Sequence, residues 1–75
     1  MIWTTEHIDG LTCWRAELVR YGEPLALVVA PRGARWVARC GRGPTRDLTE
    51  HGDLLTIELT AERAKTCAAG WAEGV

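Results

Sequence analysis

Two histidines, His7 and His51, and three cysteines, Cys13, Cys40 and Cys67, have the widest chemical repertoire in this chain of 75 residues. A thiolate and an imidazole can pair as nucleophile and base, with Asp47 or Asp53 to orient the ring, and the same side chains are zinc ligands. Their spacing argues against both roles. No pair has the usual Cys-x2–4-Cys or His-x3–5-His separation that starts a zinc site. The cysteines sit in apolar-patterned stretches, where a buried, inert thiol is the ordinary outcome. Serine, asparagine and glutamine do not occur anywhere. A serine nucleophile is therefore excluded, as is an amide side chain reading adenine. Gly41-Arg42-Gly43-Pro44 ends in proline and lacks the Gly-Lys-Thr/Ser element of a phosphate loop. Glu58 and Glu62 fall near a helix start, where capping or solvation accounts for them. These residues predict a chain that is not an enzyme and that carries no metal and no cofactor.

Charge placement is more informative. Residues 24–46 contain Arg32, Arg35, Arg39, Arg42 and Arg46 and no Asp or Glu, whereas the whole chain has a formal net charge of −1. A near-neutral protein is thus internally polarised. Arg35 and Arg39 share strand parity with Val37 and should project from the face opposite Trp36. Arg32 sits in the turn before them, and Arg42 and Arg46 sit in the loop after them. The five could form one basic ribbon for phosphates or for a carboxylate-rich protein surface. The plainer reading is a solvated edge whose cations discourage strand pairing with other chains, some of them neutralised by Glu6, Glu17 or Asp47.

The elements that must position this ribbon follow from pattern. A chain of 75 residues forms one domain with a thin core, burying about 60% of the surface its unfolded form exposes. Four tryptophans, with no phenylalanine, must supply much of that core. Ile2 to Ile8 suits a first strand, and Asp9-Gly10 a tight hairpin turn. In Leu11 to Tyr21, Trp14, Ala16 and Leu18 fall on one face and Arg15 and Glu17 on the other. Gly22-Glu23-Pro24 reads as a turn, Leu25 to Ala30 as a central strand, and Pro31-Arg32-Gly33 as another turn. In Ala34 to Cys40, Trp36, Ala38 and Cys40 oppose Arg35, Val37 and Arg39. Residues 41–53 read as a loop, being rich in glycine and without apolar periodicity. Residues 54–59 alternate and suit either a short fifth strand or an extended approach to a helix.

The helix itself is predicted over about 61–73. Thr60 is its N-cap, Ala61, Ala64, Ala68 and Trp71 form one apolar stripe, and Gly74 stops it. Short turns imply antiparallel neighbours. The fold class is therefore α+β: an antiparallel sheet of four to five strands with one C-terminal helix packed on one face. Trp3 has the opposite parity to Ile2 and Ile8 and suits either an exposed interface residue or packing on the outer face. The N-terminal residues lack a basic and apolar leader pattern, no apolar run is long enough to span a membrane, and the odd cysteine count favours a reducing compartment. These features predict a cytoplasmic protein.

The order of signals resembles that of small phage and prophage proteins. It runs Gly22-Glu23-Pro24-Leu25-Ala26-Leu27-Val28-Val29, then Arg32-Gly33-Ala34-Arg35-Trp36-Val37-Ala38, then Leu59-Thr60-Ala61-Glu62-Arg63-Ala64-Lys65 and Ala68 to Trp71. The resemblance covers about residues 11–72 and mostly restates the fold. Anti-CRISPR inhibitors are a prominent class of such proteins. The resemblance implies a stoichiometric inhibitor that docks on a type I CRISPR effector complex and works in the host cytoplasm. DNA-imitating members are strongly acidic and this chain is not, so its arginines would have to grip an acidic protein surface. A small nucleic-acid-binding module and a structural homodimer are the alternatives. An overall negative charge repels phosphates and makes the first of these a weak binder.

Overall fold

The computed structural model describes residues 1–74. The chain forms β1 (Thr4–Ile8), β2 (Leu11–Arg20), β3 (Glu23–Arg32), β4 (Arg35–Gly41), α1 (Thr45–His51), β5 (Asp53–Glu58) and α2 (Ala61–Glu73). The strands pair in the order β1-β2-β3-β4-β5, every neighbour antiparallel. Residues 54–59 therefore do contribute a fifth strand.

Alternation along the strands gives the sheet two differently clothed faces. On one, Leu27, Val29, Ala38 and Cys40 pack against Ala64 and Ala68 of α2, with Trp3, Trp14, Trp36 and Trp71 half-buried around them. The alanines lack bulk, so α2 lies close to the sheet, and aromatic side chains fill the margins. Trp14 and Trp36 reach toward each other across β3, ring centroids 5.4 Å apart and tilted by 54°, a geometry the aromatic quadrupole favours over stacking face to face. Lys65 of α2 lies over Trp14 at 4.7 Å, and the Arg20 guanidinium over Trp71 at 4.1 Å. Trp3 belongs to this packed margin, on the α2 side, and is not an exposed anchor. Thr60 caps α2 by accepting from the Arg63 amide at 3.2 Å.

The turns depart from expectation in register. Trp14 opposes Val29 and Arg20 opposes Glu23, so the β2–β3 turn is Tyr21-Gly22 and Glu23-Pro24 already belong to β3. Tyr21 holds φ +53° there, as Asp9 holds +51° in the β1–β2 turn. Both match tight hairpins that demand positive φ. The sequence expectation of a turn at Gly22-Glu23-Pro24 fails because cross-strand pairing overrides the poor fit of a bulky residue to that region. Arg32 opposes Arg35, so the β3–β4 turn is Gly33-Ala34 and Pro31 lies inside a strand. β2 pairs with β3 only as far as Trp14–Val29. Beyond that point β3 has a neighbour on one side alone, where a residue without an N–H is tolerated.

The predicted loop 41–53 is corrected. Thr45–His51 form a helix that packs on the second face, with Leu48 buried against Ala26 and Val28. One apolar residue in seven gives no periodicity to read, and this helix has no side-chain cap at Pro44. It is held by tertiary contact. A Cβ at Gly41 would stand 2.7 Å from Leu48 Cδ2, and one at Gly52 would stand 2.7 Å from the Leu48 carbonyl oxygen. Gly52 is required for α1 to sit this low, because a Cβ there would meet backbone; at Gly41 the Leu48 methyl would have to give way.

Replacing Leu48 by alanine should remove about 2–4 kcal/mol of unfolding free energy in urea titrations. Amide exchange should accelerate first in Thr45–His51. An unchanged midpoint would mean that α1 is not part of the cooperative core.

Candidate protein-docking face

The second face carries the polar and charged half of the β2 and β4 patterns. α1 covers only one part of it. Its seat is a part-buried network: Thr45 Oγ1 donates to Glu6 Oε2 at 2.9 Å and accepts from Arg15 Nη1 at 3.3 Å, while Arg15 Nη1 also reaches the Gly43 carbonyl at 2.8 Å. Thr45 is 3% exposed, so its hydroxyl takes its partners from Glu6 and Arg15 rather than from water. Arg46 on α1 binds Asp9 in the β1–β2 turn at 2.9 Å, which raises the affinity of its guanidinium for the proton, chiefly through the hydrogen bond.

These contacts decide what becomes of the predicted ribbon. Arg42 pairs with Glu23, and Arg46 with Asp9. Arg39 donates to the Gly52 carbonyl at 2.9 Å, closing the end of α1. Arg32 and Arg35 remain. They oppose each other in the β3–β4 register, both are exposed, and neither has a carboxylate within ion-pair distance among the described residues. The structure thus brings Arg32, Arg35 and Arg39 onto one face and engages Arg39, Arg42 and Arg46 in the fold. Like charges side by side on adjacent strands repel and do not stabilise the sheet.

Sequence reasoning missed the apolar side chains beside this pair. Val37 opposes Ile57, and Arg39 opposes Leu54, with a bulge in β5 between them. Leu54, Ile57 and the following Leu59 are 53%, 54% and 64% exposed, and Leu11 across the sheet is 51% exposed. The alternation of residues 54–59 is a signal for these positions, but only the location of α2 shows which parity stays bare. Beside Leu11 lies a cavity of about 210 Å³, floored by Cys13, Val28, Ala30 and Val37 and bounded by Arg32 and Arg39. It opens where β2 parts from β3.

Among the described residues, no cluster of three His, Cys, Asp or Glu side chains is placed to hold a metal ion. No described helix is long and apolar enough to cross a membrane. Comparison with known proteins yields no match of this chain to a family, to a curated protein or to a solved structure.

Of the three thiols, Cys13 lines the cavity. Burial pushes the Cys13 thiol above its ordinary range, and the Glu6 carboxylate adds to the effect. Burial and then Asp53 do the same for Cys40, with Arg20 opposing. Cys67 alone is exposed. At about pH 8 a thiol reagent should label Cys67 promptly and leave Cys13 and Cys40 to react only as the domain opens. In denaturant all three should react alike. Prompt labelling of Cys13 in the native state would show that the cavity floor is open to reagent.

Proposed function

We propose that this chain is a binding protein that docks on an acidic protein surface through the bare part of its second sheet face, and so acts as a stoichiometric inhibitor. One observation carries the reading. Arg32 and Arg35 stand side by side, exposed and without a carboxylate partner among the described residues, on a face that carries large exposed aliphatic side chains. A solvated edge accounts for cations alone. It does not account for the exposed Ile57 and Leu59 on the strand next to Arg35, because exposed apolar side chains grouped on one surface mark interaction sites more often than they serve solubility. Arginine next to aliphatic groups is the composition of interface centres, where a guanidinium can form bidentate bonds to a partner carboxylate.

The resemblance of residues 11–72 to small phage proteins directs the choice of target. The reading in its specific form is an anti-CRISPR inhibitor that docks on a type I effector complex. Direct nucleic-acid binding is less well supported. With Arg42 and Arg46 paired internally, few guanidinium groups remain to displace counterions from a phosphate backbone.

The test is association of the purified protein with purified type I effector complexes, read together with target-DNA binding by those complexes. Arg32→Glu combined with Arg35→Glu should weaken association by at least about a hundredfold. Folding should be intact, since neither side chain has an internal ion pair to lose. Unchanged affinity would remove these arginines from the interface. Binding to free DNA that falls by orders of magnitude between about 50 and 200 mM salt would favour the nucleic-acid reading instead.

A further inference from the structure

Resting on the reading of this face as a docking surface, we infer that its occupant is an amphipathic helix of a partner protein, carrying carboxylates along one flank of its apolar stripe. The occupied strip runs across the strands. Cys13, Ala30, Val37 and Ile57 come from β2, β3, β4 and β5 and share the second face. One side of the strip is closed by Thr49 and Glu50 of α1, and the other ends at Arg32 and Arg35.

Backbone chemistry selects a helix. Sheet hydrogen bonds lie in the plane of the sheet and are offered only at its edges, β1 and β5. An extended segment laid over the face would leave its own N–H and C=O groups without partners as it excluded water. A helix satisfies its backbone internally and can bury one side against a sheet, as α2 does on the opposite face. Dimensions agree. Adjacent strands lie about 4.8 Å apart, so the strip spans roughly 15 Å between its outer strands. At 1.5 Å per residue that length takes about ten to twelve helical residues. Along the strands the bare strip is only about two same-face residues wide, roughly 7 Å, and a helix with side chains is about 10 Å across. Its flank must therefore overlie Arg32 and Arg35. Carboxylates on that flank would meet the guanidinium groups of Arg32 and Arg35, which among the described residues have no internal carboxylate partner. One large aliphatic or aromatic side chain of the stripe would enter the cavity of about 210 Å³ over Cys13, Val28 and Val37.

A second copy of this chain fits poorly. The outward residues of α2, Glu62, Arg63, Thr66, Cys67, Gly70 and Glu73, form no apolar stripe. Those of α1, Arg46, Asp47, Glu50 and His51, are charged or titratable. Two copies meeting face to face about a two-fold axis that runs along the strands would set Arg32 and Arg35 against their own equivalents.

The probes are synthetic helical peptides of about fourteen residues with a leucine stripe and glutamates along one flank, titrated into the isotopically labelled protein. Saturable amide shifts are expected at Cys13, Ala30, Val37 and Ile57 and along Arg32–Arg35. The same peptides with lysine replacing glutamate should bind at least about tenfold more weakly. Ile57→Glu and Leu11→Glu lie at exposed positions and should leave the fold intact, and each should abolish the shifts. Absence of shifts, shifts confined to β1 or to the outer edge of β5, or equal binding of the lysine peptides would overturn the helix. Shifts on this face that grow with protein concentration without peptide would assign it to a second copy and also overturn it. Charge reversal of Arg32 and Arg35 against the effector complex is read separately. Loss there with no response to any peptide would keep the docking face and discard its helical occupant.

Discussion

The seating of Leu48 over Gly41 governs the rest of this structure. A Cβ at Gly52 would stand against the Leu48 carbonyl oxygen and one at Gly41 against the tip of the Leu48 side chain, so Gly52 sets how closely the end of α1 approaches the sheet and Gly41 leaves room for the Leu48 side chain. With α1 seated there, Thr45 meets Glu6 and Arg15, Arg39 reaches the Gly52 carbonyl, and Arg46 meets Asp9. A seven-residue helix with no side-chain cap is too short to be stable alone. Its contacts make it helical, and its position determines which part of the second face stays bare.

The two faces use different means of closure. Under α2, small alanines and half-buried tryptophans produce a continuous apolar layer, with Lys65 and Arg20 laid over aromatic rings; the Arg20 Nη1 is buried there without a hydrogen-bond partner among the described residues. On the opposite face a polar network replaces apolar bulk, and only Ala26, Val28 and Leu48 form a buried apolar cluster. A small domain with one deep layer and one partial layer has a natural place for an external element. Charge follows the same division. Of the five arginines in the basic segment, three are spent on holding α1 and the turns, and the remaining two flank the uncovered strip.

Strand and helix content was legible because both repeats were strong. Trp14, Ala16 and Leu18 against Arg15 and Glu17 needed only the period of two, and Ala61, Ala64, Ala68 and Trp71 only the helical repeat. α1 was not legible, since Leu48 stands alone among polar residues and its helical state depends on glycines at 41 and 52. The turn at Tyr21-Gly22 was hidden for a related reason. Local preference favours Gly-Glu-Pro as a turn, whereas the register from Trp14–Val29 to Arg20–Glu23 places Tyr21 in the left-handed region.

For the candidate site, sequence by itself determined that five arginines crowd into one acid-free segment and that Arg35, Val37 and Arg39 share a side of a strand. These are matters of composition and of the pleat, which local chemistry dictates. Tertiary structure decided which of those charges remain available, because Glu23 comes from the start of β3, Asp9 from the β1–β2 turn and the Gly52 carbonyl from the end of a helix. It also decided that Ile57 and Leu59 lie exposed toward the Arg35 end of β4, and Leu54 beside Arg39. The alternating pattern separates a strand's two sides, but only packing of α2 against one of them leaves the other uncovered.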